Sequence, residues 1–176
     1  MRNAFAVLLA SLVISGCGML VLAKTERDAA GGSSAANASQ DVQFLRDIAH
    51  ANHAEIAIGR LAAQKAASAQ VRKYAQQMAD EHSKAQAQAV ALAKERGLTL
   101  PGDPASQRQA AAKYLEQLSG EAFDRAYMEQ AVKDHRNMVQ LLERTAAEAQ
   151  EKDIKAFAQN ALSHARKHLE AAERLK

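Results

Sequence analysis

Val71-Arg-Lys-Tyr-Ala75-Gln-Gln-Met78-Ala-Asp-Glu-His82-Ser-Lys-Ala85-Gln-Ala-Gln-Ala89-Val-Ala-Leu92 is the stretch on which the fold turns. Its small and apolar residues recur at alternating steps of four and three: Val71, Ala75, Met78, then Ala85, Ala89 and Leu92. That spacing lines them along one face of an α-helix. His82 falls on the same face, in the middle of it. An imidazole buried there is costly unless something compensates it. Ser68 stands where an N-cap belongs and Gly97 where a helix stops, so a helix over 69–96 follows.

The same spacing extends outward in both directions. A first helix from about Asp41 to Ala66 carries the seam Leu45, Ile48, Asn52, Glu55, Gly59, Ala62, Ala66. Beyond Gly97, Pro101 and Pro104 mark a connection, and Ser106-Gln-Arg-Gln109 resembles a capping box opening a short helix to Leu118. Ser119-Gly120 breaks that helix, and a third long one runs from Glu121 to Ala149. It admits two seams: Tyr127, Ala131, Asp134, Met138, Leu141, or Met128, Ala131, His135, Met138, Leu142. A fourth begins at Asp153 with the seam Ile154, Ala158, Ala161, Ala165, His168, Ala172, Leu175, and His164 sits one turn before His168. Two tight turns and one long crossover predict an all-α fold: a ferritin-like antiparallel four-helix bundle whose crossover contains a short helix. An extended coiled coil is the alternative, and the short turns near Ala67 and Gln150 favour folded hairpins. With only two prolines and eight glycines in 176 residues, composition points the same way.

Each seam is interrupted near its middle by a titratable group. Glu55 and His82 lie about 12 and 14 residues from the first turn; His135, His164 and His168 lie about 15, 14 and 18 from the second. At 1.5 Å per residue the spread is roughly 9 Å. With both turns at one end of the bundle, these residues share one stratum. His50 and His53 fall at the same depth but towards the flank, so all six histidines occupy one layer.

Two readings of the layer compete. In one, Glu55, His82, His135 and His168 converge on a metal ion, with His164 as a further ligand and Asn52 and Asp134 orienting the ligands from behind. Imidazole with carboxylate suits Zn, Fe, Mn or Cu. In the other, the groups form a hydrogen-bonded and ion-paired layer that fixes helix register. Met78 and Met138 near the histidines hint at copper, although methionine at seam spacing is normally core filler. The Glu-x-x-His motif of di-iron bundles is absent: the residues three before His82, His135 and His168 are Ala79, Val132 and Ala165. Ferroxidase chemistry is not supported.

The N-terminus carries a separate signal. Met1-Arg2-Asn3 is a short positive region, Ala4 to Ile14 an apolar one too short to span a bilayer, and Ile14-Ser15-Gly16-Cys17 resembles a bacterial lipobox. Residues 1–16 therefore read as a lipoprotein signal peptide and Cys17, the only cysteine, as the lipidation site. Several acyl chains, at roughly 0.8 kcal/mol per buried methylene, make such anchoring effectively permanent. Gly18 in place of Asp favours the outer membrane, facing the periplasm, by resemblance to known sorting rules. Residues 17–40, with Ala29-Ala-Gly-Gly-Ser-Ser-Ala-Ala-Asn-Ala-Ser39, read as a flexible tether to the bundle at 41–176. The expected partner is the membrane, through lipid.

Other classes find little support. The net charge of +3 is dispersed and aromatics make up 4%, so no basic stripe with interleaved aromatics speaks for nucleic acid. There is no nucleophile elbow and no phosphate-cradling glycine loop, so no residue is assigned as catalytic.

Phe44-Leu45 through Glu55, Gly59-Arg-Leu-Ala62, Met78-Ala-Asp-Glu-His-Ser83, Phe123-Asp-Arg-Ala-Tyr127, Asp134-His135 and His168-Leu169 together resemble domain of unknown function 4142, a bacterial envelope family. The resemblance spans about residues 41–174. It implies the ferritin-like bundle, an exported setting, and a role for Glu55, His82, His135 and His168, without implying an activity. Members often carry a proline after the leucine matching Leu162, where this chain has Ser163.

Overall fold

Five helices make up the computed structural model, which describes the backbone of residues 19–176 and the side chains from Ser39 onward, apart from residues 106 and 107. They are α1 (Met19–Lys65), α2 (Ala69–Glu95), α3 (Ser106–Glu116), α4 (Gly120–Glu148) and α5 (Lys152–Leu175). No strand occurs among the described residues. The expected signal peptide and the expected lipidation site at Cys17 lie outside them. The chain divides after Ala35 into two units, and the bundle belongs to the second, Ala36–Lys176. Residues 19–40, expected as a flexible tether, are helical in the structure. Alanine is the commonest residue in that stretch and favours a helix, whereas the expectation rested on its lack of apolar bulk.

Local chemistry sets the ends. Ser68 caps α2 with its hydroxyl accepting from Val71 N. Gly97 and Gly120 take φ values of 64° and 59°, the left-handed conformation that glycine adopts without strain. The expected capping box at Ser106 does not form the start of α3: Ala105 holds the N-cap position and no side chain caps it.

The turns mark opposite ends of the bundle. At the α1–α2 turn, Asp124 near the start of α4 accepts from Ala67 N at 2.9 Å and Ser68 N at 2.7 Å. At the α4–α5 turn, Glu151 N reaches Asp41 of α1, and Arg96 beyond α2 pairs with Asp153 of α5. So α2 and α4 run the same way, and residues 96–119 travel back along the bundle. The expectation that both turns share one end is thereby corrected. One long crossover between two hairpins requires opposite ends, because it carries the chain the length of the bundle, back to the level where α2 began.

Two apolar clusters fill the interior. One, towards the α1–α2 turn, gathers Ile58, Val71, Tyr74, Met78, Phe123, Tyr127 and Met128; the other, towards the α4–α5 turn, gathers Phe44, Leu45, Ile48, Met138, Leu142, Ile154 and Phe157. Helix α4 buries Met128, His135 and Leu142 with Tyr127, so the seam through His135 faces inward and Asp134 is half-buried beside it. Helices α1 and α2 touch backbone to backbone at Gly59, where a Cβ would lie 2.9 Å from Ala75 O and 3.1 Å from Ala79 N. Helix α5 passes through Ser163 without interruption.

Candidate metal centre

Between the two clusters lies a polar stratum. Its members sit near mid-helix, so they meet at one level whichever end the depth is counted from. His82 from α2, His135 from α4 and His168 from α5 converge, their ring centroids 5.6, 5.6 and 5.3 Å apart. One ring nitrogen from each lies within 4.8 Å of the other two. All three are buried, His135 almost completely at 1% exposure.

Neighbours fix the tautomers. His135 Nδ1–H donates to Ala131 O at 2.9 Å, and His82 Nδ1–H donates to Asn52 Oδ1, also at 2.9 Å. The Asn52 amide is held in turn, its Nδ2 donating to Gln86 Oε1 at 3.3 Å, while Gln86 Nε2 donates to His53 Nε2 at 3.2 Å. A neutral imidazole that donates through Nδ1 carries a bare lone pair on Nε2. Both Nε2 atoms, of His82 and of His135, are buried without a hydrogen-bond partner. An unmet buried acceptor costs about 1–3 kcal/mol. Burial, then the fields of His135, His168 and Arg108, hold the His82 pKa well below the ordinary histidine value, so it stays neutral.

His168 is held differently. Its Nε2 lies 2.7 Å from Glu81 Oε2, and His164 Nδ1 lies 3.4 Å from the same oxygen. Burial lowers the pKa of His168, against the raising effect of the Glu81 hydrogen bond. Burial works against ionising Glu81, yet hydrogen bonds from Gln77, His168 and His164 outweigh it and hold its carboxyl below the usual range. Glu81, His164 and His168 form a second group with donor atoms within 4.8 Å of one another. A cleft of about 560 Å³ opens between α2 and α5 onto Glu81, His82, His164 and His168.

Of the residues the sequence nominated, His82, His135 and His168 come together, His164 lies outside them at the cleft, and Asn52 stands behind His82. Glu55 does not join either group. It is buried and lies 4.0 Å from Arg108 of α3, which also approaches Asp134 at 3.7 Å. Burial raises the Glu55 pKa, with His135, Asp134 and Arg108 adding smaller effects of mixed sign. Asp134 thus serves the Arg108 pair and accepts from Gln130 rather than orienting a histidine. His50 donates to Asp103 O in the crossover. Met78 and Met138 belong to the two apolar clusters. Two members escaped the seam analysis. Glu81 precedes His82 and faces the neighbouring helix rather than the seam, where its adjacency to a seam histidine was the available signal. Arg108 comes from the crossover, where no periodicity points inward.

Solved structures share this fold. A conserved hypothetical protein of Mycobacterium tuberculosis is 19% identical, with 79% of this chain and 92% of that one covered and a TM-score of 0.64. A DUF305 protein of Streptomyces coelicolor is 16% identical, covering 77% and 91% at a TM-score of 0.67. A DUF305 fragment of Deinococcus radiodurans is 16% identical, covering 77% and 94% at 0.69. No curated protein matches the chain. Residues 26–175, most of the sequence, match the family described as Domain of unknown function (DUF4142), and the chain belongs to that family.

Proposed function

We propose that this chain is an exported, lipid-anchored envelope protein whose bundle holds a divalent transition-metal ion on His82, His135 and His168. The observation that carries the metal reading is the pair of buried, unpartnered Nε2 atoms. Metal-binding histidines typically donate the other ring N–H to a carbonyl or similar acceptor, and His135 and His82 do so to Ala131 and Asn52. A layer built only to fix register would have partners on both nitrogens. Neutral imidazoles suit zinc-like ions, copper and iron better than magnesium or calcium. Three protein ligands leave a further position open, as zinc sites that bind small molecules do. Sequestration, storage or stress defence in the envelope fits such a centre.

The anchoring part rests on the lipobox-like Ile14-Ser15-Gly16-Cys17 and on Gly18. No described helix is long and apolar enough to cross a membrane. The candidate secreted protein of Streptomyces coelicolor, alike in fold, is consistent with export.

Metal analysis of the full chain, purified in detergent without a chelating tag, tests the centre. One equivalent of Zn, Cu, Fe or Mn with EDTA-sensitive melting is expected. A chain free of metal, whose melting ignores both EDTA and added ions, overturns the reading. Mass spectrometry of the N-terminal peptide tests the anchor: acylated Cys17 is expected, and an unmodified or absent Cys17 refutes it.

A further inference from the structure

The carboxylate and exposed imidazole at the cleft have no task in the three-histidine centre, yet they share a residue with it. We infer that Glu81, His164 and His168 form a second, solvent-facing cation position through which the inner centre is filled. This rests on the three-histidine reading above.

Exposure falls in steps along the route: the side chain of His164 is 64% exposed, Glu81 30% and His168 7%. His135, at 1%, is absent from the cleft lining, so an ion reaches it past His82 and His168. His168 belongs to both groups and is the natural hand-over point. The chemistry divides the work. A hydrated dication gives up its waters reluctantly and one at a time, and a carboxylate attracts it where neutral imidazoles do not. Glu81 supplies that charge at the cleft, with one oxygen already placed between His164 and His168. The inner position offers nitrogen alone, which favours transition ions over harder cations. Capture by charge followed by selection by nitrogen is the sequence this arrangement serves.

Cobalt(II) is the probe, because its visible absorption reports the ligand field directly. Stopped-flow mixing of the full metal-free chain with Co²⁺ should show the spectrum of the inner centre developing. In His164→Ala and Glu81→Gln, both altered at exposed or half-exposed positions, loading should slow by about tenfold. In His164→Ala the final spectrum and equilibrium affinity should stay within about twofold of the native chain, whereas Glu81→Gln, which loses its hydrogen bond to His168, should weaken affinity by about tenfold while reaching the native spectrum. Loading at the native rate in both variants overturns the inference. So does a parallel loss of affinity and a changed final spectrum, which would make Glu81 and His164 ligands of a single centre. A native chain that takes up no Co²⁺ refutes the three-histidine reading itself, a failure distinct from the other two.

Discussion

His135→Leu should stabilise the metal-free chain and abolish its response to metal, two effects of opposite sign from one substitution. Leucine has similar bulk and removes the unpartnered Nε2, relieving about 1–3 kcal/mol. It also removes the Nδ1–H bond to Ala131 O, worth about 0.5–1.5 kcal/mol. Ala131 O keeps the helical bond that any i+4 backbone N–H supplies, so no new vacancy opens. The net gain is about 1 kcal/mol, or a Tm rise of about 2–4 °C for a chain of this size. For the native chain, free metal at a hundred times Kd adds about 2.7 kcal/mol. That raises Tm by about 5–11 °C. In the variant this increment should shrink to less than about 2 °C. Differential scanning calorimetry with and without Zn²⁺ measures both. A variant that melts lower than the native chain without metal, or keeps the full zinc increment, would refute the reasoning about the bare lone pairs.

Gly59→Ala should destabilise the bundle by about 1–3 kcal/mol in urea unfolding, because the new methyl meets backbone atoms of α2 that cannot step aside. A neutral or stabilising outcome would mean that α1 and α2 separate freely. Glu55→Gln should leave metal affinity within about twofold, since Glu55 faces Arg108 rather than the histidines; a loss above tenfold in a zinc titration would return it to the ligand set. The metal-free chain should lose stability as pH falls below about 6.5. Burial depresses the pKa of His82 and His168 in the fold, so the unfolded chain binds those protons first. Glu55, with its pKa raised by burial, opposes the trend by taking up a proton more readily when folded. Melting curves from pH 7 to 5 should therefore fall more steeply in Glu55→Gln than in the native chain, and parallel curves would contradict this account.

How far the sequence could be read follows from where its periodicity reaches. The seams of Val71–Leu92 and Ile154–Leu175 were legible because small and apolar residues at helical steps leave one way to bury them. Mid-seam His82, His135 and His168 were legible for the same reason, as polar residues where apolar ones belong. Glu55 occupies an equivalent seam position yet meets a cation, because Arg108 arrives from a crossover whose packing no seam encodes. Glu81 lies off the seam of α2, and phase on its own helix does not say that α5 lies against that flank. The N-terminal stretch shows another limit: lack of bulk indicates that nothing is buried, not that the backbone is uncoiled.

The hydrogen bonds from His82 through Asn52 and Gln86 to His53 all point the same way, each group donating to the next. Such a row has a polarity, and it is set at its outer end by the lone pair of His53. The other tautomer of His53, with its hydrogen on Nε2, would turn that acceptor into a donor and require both amides to swing over. His82 Nδ1 would then accept instead of donate, its hydrogen would move to Nε2, and the lone pair facing the centre would close. A half-buried histidine on α1 thereby sets the direction of the whole row without touching the three-histidine cluster. Gln86→Leu cuts the row, and zinc affinity should fall because nothing then holds the Asn52 amide in the orientation that keeps His82 Nε2 bare; an affinity unchanged by the cut would show the row to be passive.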